Sequence, residues 1–491
     1  MIKNFKWLFL VSLTFVACNN NDDVTIDANS SDGLPLTSGS ANFSKYVALG
    51  NSLTSGYCDS ALFIEGQKVA YPALLAQQFA LIGGGTFSTP FMADNVGGFK
   101  VGGTVASGPR LYFNGSGPVP VSGTPSTEIL THLTGPFNNM GVPGAKSFHL
   151  LSNTYGSPAG LGTYANPYYV RFASSASATV LGDATAQNPT FFSLWIGNND
   201  VLSYATSGGT GVNQTGNTNP ATYGSNDITD PNVFASVYNT LLTGLTANGA
   251  KGVVANIPYV TSVPFFTTVP YNAVPLNAAQ VSALNSGYAS YNGGLQAAKN
   301  FGLITETERL ARTINFVVGQ NAVVIIDEYL TNVSAPGLTL PKYRQATAAD
   351  YVLLISGGVS AQTYLAAGNG TQYPLADQWV LSKGEVAEVK VATDLYNATI
   401  QSLATAKGLA FVNANDTMAQ VATTSGVTYN GFTMTSTYVT GNSFSLDGVH
   451  PSPKGYALIA NKFIEAINAT YGSNLRGPDL GGYRILFPAT L

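Results

Sequence analysis

The feature that most constrains the fold is a set of short apolar, β-prone runs that alternate with stretches of helical spacing. The first run, Tyr46–Leu49, ends at Gly50, where a tight turn can form before a helix begins. Similar runs follow at Thr190–Ile196, Gly252–Asn256 and Leu409–Asn413. Because strands that alternate with helices favour a parallel sheet with helices on both faces, we expect an α/β fold.

Helical spacing of apolar residues is clearest between these runs and after the last of them. The predicted helices are Tyr71–Phe79, Val233–Leu245, Asn277–Asn300, Glu385–Ala406 and a final helix at Pro453–Tyr471. A proline in the first turn suits the helix that begins at Tyr71, because that N–H needs no intrahelical partner.

Two connections are longer than connections in compact domains usually are, and we interpret them as insertions near residues 83–125 and 260–380. The first is rich in glycine and is expected to form β-hairpins or loops. Between them, Asn138–Ala145 is interpreted as a turn. The sequence therefore predicts one domain over residues 44–474, followed by a C-terminal tail at 475–491.

Residues 1–17 are interpreted as an export signal. Lys3 and Lys6 give a basic start, and the apolar run Trp7–Val16 is too short to span a bilayer as a mature helix. Because Cys18 follows directly, the segment resembles a bacterial lipoprotein signal, with a plain secretory peptide as the alternative. The resemblance implies a lipid anchor on Cys18 in the outer membrane of a Gram-negative bacterium, facing the periplasm or the medium.

Residues 18–43 are rich in Asn, Asp, Ser and Gly and contain little to bury, so we expect a flexible tether. If Cys18 carries lipid, the second cysteine, Cys58, has no partner within the chain.

The composition limits the classes of partner. Hydrophobic residues make up 45% of the chain and charged residues only 9%, which favours an extracytoplasmic protein. The net charge of -4 offers no basic surface for phosphates, so nucleic acid is not expected as a partner.

Four polar motifs lie at points where strands or turns are expected. In chain order they are Gly50-Asn51-Ser52-Leu53, Asn139-Met140-Gly141-Val142-Pro143-Gly144, Gly197-Asn198-Asn199-Asp200 and Asp447-Gly448-Val449-His450. Together these motifs resemble blocks I, II, III and V of the SGNH/GDSL hydrolases, and the likeness runs from about Ser44 to Tyr471. The resemblance implies a flavodoxin-like, three-layer α/β/α fold and hydrolysis of esters.

The resemblance also implies a role for each of five residues. Ser52 would be the nucleophile, His450 the general base, and Asp447 the carboxylate that orients the imidazole. The backbone N–H groups of Ser52 and Gly144, with the side-chain amide of Asn199, would form the oxyanion hole.

These residue types suit acyl transfer for reasons that are independent of the family. A serine hydroxyl is a weak nucleophile at neutral pH, so a base must take its proton as it attacks. Histidine suits this task because its ordinary pKa is about 6.5, and a carboxylate stabilises the imidazolium that forms. A well-aimed hydrogen-bond donor at the developing oxyanion is worth on the order of 10²–10³ in rate.

One residue departs from the family pattern, because Asn51 stands where block I usually has aspartate. An amide keeps one acceptor oxygen but adds two donors, so we expect activity with an altered local network. No cofactor is expected, and no metal, because His132, His149 and Cys58 form no group with metal-ligand spacing.

Several alternatives stay open at this level. Ser52 could simply cap a helix, and Asn199 could close a turn, a role that asparagine often takes. The substrate could be a lipid or short-chain ester, or an acylated polysaccharide cleaved by an acetyl esterase. A non-catalytic binding lipoprotein on the same scaffold is the alternative from another class.

Overall fold

A five-stranded parallel sheet forms the centre of the computed structural model, which describes residues 27–354 and 361–491. Its strands are β1 (Tyr46–Gly50), β2 (Asn139–Gly141), β3 (Phe191–Trp195), β4 (Lys251–Ala255) and β5 (Ala410–Val412). They lie in the order β5-β4-β3-β1-β2, which is the flavodoxin-like order. All residues of β1 and β3 are buried, as expected for parallel strands covered on both faces. The predicted parallel sheet is therefore confirmed.

The α-helices of the described ranges are numbered in chain order. They are α1 (Ser52–Ser55), α2 (Ile64–Lys68), α3 (Tyr71–Ala80), α4 (Pro167–Val170), α5 (Val180–Thr185), α6 (Asn199–Thr206), α7 (Pro231–Thr246), α8 (Pro264–Thr267), α9 (Ala278–Asn300), α10 (Glu306–Arg312), α11 (Ala361–Ala366), α12 (Lys383–Ala406), α13 (Ala414–Val421) and α14 (Pro453–Tyr471). The five helices predicted from apolar spacing are all present as α3, α7, α9, α12 and α14, with ends that differ by no more than two residues.

Helices cover the sheet in two layers. On one face α14 packs against α3 and β5, with the ring of Phe463 stacked on Tyr71 at 4.6 Å. On the other face α7 packs between α5 and α12, and Phe234 stacks on Tyr396 at 4.2 Å. This division is the one that right-handed crossovers produce for the observed strand order.

The stretch Asn138–Ala145, interpreted as a turn, is a strand at residues 139–141 and a turn at residues 143–144, so the turn prediction is wrong for its first part only. Asn139–Gly141 forms β2, which pairs only with β1 at the edge of the sheet. Asparagine and glycine are poor strand formers, and the pattern therefore gave no β signal. The strand forms because its backbone pairs with β1, and this pairing places the following turn near Ser52.

The two predicted insertions contain short antiparallel pairs outside the central sheet. In the first insertion Phe99–Val101 pairs with Thr104–Ser107 and Leu111–Phe113 with Pro118–Pro120, which confirms the expected hairpins. The second insertion has its own hydrophobic core, in which Leu295 of α9 packs with apolar residues of the surrounding strands and loops.

Within the described residues, the strands of the second insertion form four antiparallel pairs, of which one is a tight hairpin and the others join segments farther apart in the chain. These pairs are Val274–Leu276 with Gly319–Asn321, Val324–Ile326 with Tyr343–Gln345, Val333–Ala335 with Leu338–Leu340, and Tyr351–Val352 with Val380–Leu381. A further hairpin, Val427–Tyr429 with Phe432–Met434, follows β5.

The segment before β1 is not free along the part that the structure describes. The backbone N–H of Thr37 donates to the side chain of Asn474 at 2.7 Å, and that of Ser40 donates to the carbonyl of Tyr471 at 2.8 Å. The flexibility expected for residues 18–43 therefore does not hold from residue 27 onward, because the side chain of buried Asn474 accepts from Thr37 and donates to the carbonyl of Pro35 at 3.2 Å. The predicted signal peptide and Cys18 lie outside the described residues.

The C-terminal tail also packs on the domain. The guanidinium of Arg110 donates to the carbonyl of Pro488 at 2.7 Å, and Phe487 meets the ring of Phe63 at 5.0 Å. None of the helices in the described ranges has the length and apolar character needed to cross a membrane.

Candidate active site

Ser52 lies at the first turn after β1, where the chain passes from strand to helix. Gly50 permits this turn, because a Cβ there would lie 2.4 Å from the carbonyl oxygen of Trp195 in the neighbouring strand. Asn51 then caps α1, since its side chain accepts a hydrogen bond from the N–H of Leu53 at 3.1 Å. Ser52 follows as the first helical residue, at the carboxyl edge of the sheet where open α/β folds bind ligands.

A chain of two hydrogen bonds joins Ser52 to the last polar motif. The Oγ of Ser52 lies 2.9 Å from the Nε2 of His450, and the Nδ1 of His450 lies 3.0 Å from the Oδ2 of Asp447. The ring of His450 also packs against Tyr57, with 4.7 Å between ring centroids. The three side chains that the sequence singled out therefore form one hydroxyl–imidazole–carboxylate line, the arrangement in which a base can activate a serine.

Asp447 is held as a carboxylate by the groups around it. Its Oδ1 accepts the backbone N–H groups of Val449 at 2.9 Å and His450 at 2.8 Å. Burial alone would raise the pKa of Asp447, but the charge of His450 and these hydrogen bonds outweigh it and lower the pKa to about 2. At neutral pH the residue can therefore accept a hydrogen bond from the imidazole and stabilise its charged form.

A loop after α1 that the sequence analysis missed holds Asp447 from the other side. The N–H of Ser60 donates to the Oδ2 of Asp447 at 3.0 Å, and the carboxylate of Asp59 accepts the N–H of Leu446 at 2.9 Å. Asp59 and Ser60 adopt φ values of 50° and 64°, a region that few non-glycine residues enter. No sequence signal marks such a conformation in a non-glycine pair.

The three predicted oxyanion donors surround the same end of the sheet. Among the described residues, no acceptor receives the backbone N–H of Ser52 or that of Gly144. Gly144 lies in the turn after β2 at φ 80°, three residues beyond the residue that pairs with Gly50. The amide of Asn199 donates one hydrogen to the carbonyl of Ala145 at 2.9 Å, which leaves its second hydrogen for a ligand.

Asp200 connects the two segments that carry the predicted oxyanion donors, the Gly144 turn and the start of α6 at Asn199. Its carboxylate accepts the N–H of Ser147 at 2.8 Å and the Oγ–H of the same serine at 2.7 Å. Ser147 begins the 3₁₀ helix Ser147–Leu151 after the Gly144 turn, and Asp200 follows Asn199 in α6. These bonds fix the Gly144 turn relative to Asn199, a role that the motif alone did not reveal.

Asn51, the departure from the family pattern, has both ends of its amide in use. Its oxygen caps α1, and its Nδ2 donates to the side-chain oxygen of Asn198 at 3.3 Å. An aspartate could not donate this hydrogen bond, so the link from the end of β1 to the start of α6 requires the amide.

A cavity of about 130 Å³ opens beside Ser52, His450 and Asn199. Most of its lining side chains are apolar, and about half of these come from the carboxyl ends of β3 and β5 and from α13 and α14, the others from α1, α6 and loops.

The remaining candidates for metal or proton chemistry lie apart from this line. His149 is buried, which lowers its pKa to about 4, and its Nδ1 accepts the N–H of Lys146 at 3.1 Å. Three carboxylates approach within 4.8 Å of one another at the second insertion and the start of α12, namely those of Glu328, Asp377 and Glu385. None of these residues lines the cavity beside Ser52. Cys58 is a buried free thiol.

Two solved structures are similar to this chain, whereas no family model and no curated protein matches it. The first, LAE5, is described as an α/β hydrolase enzyme from the metagenome of Lake Arreo, Spain. It is 10% identical, with a TM-score of 0.33, over 88% of this chain and 97% of that chain. The second is a variant of Axe2, an acetyl-xylooligosaccharide esterase from Geobacillus Stearmophilus. It is 11% identical, with a TM-score of 0.32, over 87% of this chain and 96% of that chain. TM-scores of this size say nothing about activity, so any inference about activity must come from the geometry of the site.

The environment of Asp59 predicts that its contribution to the free energy of unfolding falls as pH rises. Burial raises the pKa of Asp59 to about 7, with the charge of Asp447 adding to the effect against the hydrogen bond from Leu446. Because the folded pKa exceeds the unfolded value of about 3.9, the carboxylate destabilises the fold increasingly as pH rises from about 4 to 7. We expect Asp59→Asn, which keeps the acceptor oxygen, to gain stability relative to the wild type over this range, by a few kcal/mol at most.

Unfolding in guanidinium at pH 4, 6 and 8 measures this difference. Asp447→Asn should change the free energy of unfolding in the opposite direction and lower it. The lowered pKa of Asp447 makes its carboxylate stabilising at neutral pH, and this stabilisation is lost only as pH falls towards 2. If the free energy of unfolding differs between Asp59→Asn and the wild type by the same amount at pH 4 and pH 8, the raised pKa of Asp59 is contradicted.

Proposed function

We propose that this protein is a serine ester hydrolase of the SGNH/GDSL type that cleaves carboxylic esters through an acyl-Ser52 intermediate. The observation that carries the proposal is the hydrogen-bonded line from Ser52 through His450 to Asp447, at 2.9 Å and 3.0 Å. The backbone N–H groups of Ser52 and Gly144 support it, because neither has an acceptor among the described residues and both can therefore donate to an oxyanion.

In the acylation half of the reaction, the Oγ of Ser52 attacks the ester carbonyl carbon and its proton passes to the Nε2 of His450. The carbonyl oxygen takes up the negative charge and accepts hydrogen bonds from the N–H groups of Ser52 and Gly144 and the amide of Asn199. The bond to the alcohol oxygen then breaks, and the leaving alcohol takes the proton from His450. Asp447 stabilises the imidazolium between these two transfers.

In the deacylation half, water attacks the acyl-Ser52 carbonyl while His450 accepts one of its protons. The acid leaves as the bond to Ser52 breaks, and the proton returns to the Oγ. Every group in this cycle is supplied by the chain or by water, so the proposal requires no cofactor.

Removal of any one of the three members of the hydrogen-bonded line should lower the activity by several orders of magnitude. We expect Ser52→Ala and His450→Ala to lower kcat on short-chain p-nitrophenyl esters by about 10⁴- to 10⁶-fold, and Asp447→Asn by about 10⁴-fold. Steady-state kinetics of the full chain measure these changes.

Ser55→Ala is the matched control, because Ser55 is a buried serine of the same helix whose Oγ donates only to the carbonyl of Ser52, at 3.0 Å. It should keep activity within about tenfold of the wild type, since a single internal hydrogen bond is worth about 1 kcal/mol. Equal turnover by wild type and Ser52→Ala would identify a binding protein instead of an enzyme.

We also propose that the mature chain is anchored to the outer membrane by lipid on Cys18. The basic start, the short apolar run and the cysteine that follows support this proposal. Expressed with its own signal in a Gram-negative host, the wild type should enter the detergent phase on Triton X-114 partition, and Cys18→Ala the aqueous phase. Aqueous partition of both proteins contradicts the anchor.

A further inference from the structure

The cavity beside Ser52 is built from apolar faces of two helices. From α13, Ala414, Met418 and Val421 line it, at the i, i+4, i+7 spacing of a single helical face. All three are buried, although no partner side chain fills the space they enclose. A helix face that is apolar and buried but borders a void is shaped for an apolar guest.

The facing side of the cavity comes from α14. Ile459 and Phe463 line it at i, i+4 spacing, with Leu458 beside them, and Trp195 of β3 also lines the cavity. Lys462 also borders the space, but its ammonium pairs with a glutamate outside the lining at 2.9 Å. Among the described residues that line the cavity, the titratable ones are His450 and Lys462, and the charge of Lys462 is paired outside the lining, which suits hydrocarbon and not sugar hydroxyls.

The near end of the cavity carries the reacting groups. Ser52, Asn199 and His450 line the same space as the two apolar helix faces. A chain attached to a carbonyl carbon at the Oγ of Ser52 therefore enters the space that α13 and α14 line.

We propose that this cavity is the acyl-chain site of the enzyme and that its substrates are esters of straight-chain fatty acids. The inference rests on the proposed function, because it assumes that Ser52 attacks an ester. The acyl part, not the alcohol, suits an enclosed site, since the acyl group stays on Ser52 until water has attacked, whereas the alcohol must leave first. An acetyl ester has no chain to place there, so the cavity favours fatty acyl esters over acetylated polysaccharide.

The first experiment compares two series of esters on the full chain. With p-nitrophenyl esters of two- to twelve-carbon acids, kcat/KM should rise about three- to fourfold for each methylene until the cavity is full, and then fall. With acetate esters of alcohols of increasing length, kcat/KM should change little. A rise in the alcohol series with a flat acyl series, or a preference for acetylated xylan, overturns the proposal.

The second experiment changes the size of the cavity. Ala414→Phe should fill it and lower kcat/KM for long-chain esters much more than kcat/KM for acetate, removing most of the gain per methylene. Thr417→Trp is the second filling variant should the first fail to fold, because Thr417 lines the cavity from a less buried position on α13. A uniform loss over all acyl lengths in a filling variant that remains folded contradicts the assignment.

An enlarging variant has a matched control in the same core. Met418→Ala should move the best acyl chain to a longer length, whereas Met434→Ala removes an equally apolar, buried methionine that does not line the cavity and should leave the preference unchanged. If the preferred acyl length shifts equally in both variants, the cavity is not the acyl-chain site.

These tests separate the failure of this inference from failure of the proposed function. If acetate esters are cleaved by the wild type but not by Ser52→Ala, and acyl length has no effect, the acyl site alone is wrong. If Ser52→Ala changes the turnover of no ester, the proposed function itself is wrong.

Discussion

The proposed activity depends on one hydrogen bond, from the Oγ of Ser52 to the Nε2 of His450, which joins residues 398 positions apart in the sequence. Neither residue can do the proposed chemistry alone, because the hydroxyl needs a base and the base needs an orienting carboxylate. The contact exists only if the first strand and the loop before the last helix end at the same edge of the sheet. The fold can therefore be understood as the means of bringing these two ends together.

Strand order explains how this is achieved. β1 occupies an interior position between β2 and β3, so the turn at Ser52 is flanked by the Gly144 turn and by the start of α6. Because α14 packs against α3 on the same face of the sheet, the motif before α14 returns to the end of β1. The carboxylate of Asp200 and the loop at Asp59 then fix the oxyanion segments and the His450 loop in position.

Much of this arrangement could be predicted because its signals are local. The strands at Tyr46 and Phe191 are apolar runs ended by glycine, and α14 follows its helical spacing from Pro453 to Tyr471. Asp447 and His450 stand three residues apart, so one turn brings both side chains to the same place. Residues whose spacing sets their geometry can be found without a structure.

The features that were missed arise from contacts between distant segments. β2 has poor strand formers and exists through its pairing with β1, and the segment around Thr37 is ordered by Asn474. The left-handed backbone of Asp59 and Ser60 is sustained by bonds to the loop at residues 445–447. The apolar cavity depends on how α13 faces α14, which no local pattern specifies.

The central claim is that Ser52 is a nucleophile activated by His450, and covalent labelling tests it most directly. A fluorophosphonate bonds to a serine only when a base removes the proton of its hydroxyl during attack. Peptide mass spectrometry of the labelled full chain should find one phosphonyl group on Ser52, and none on the His450→Ala variant. An unlabelled wild type, a label on another serine, or equal labelling of Ser52 in His450→Ala would contradict the account.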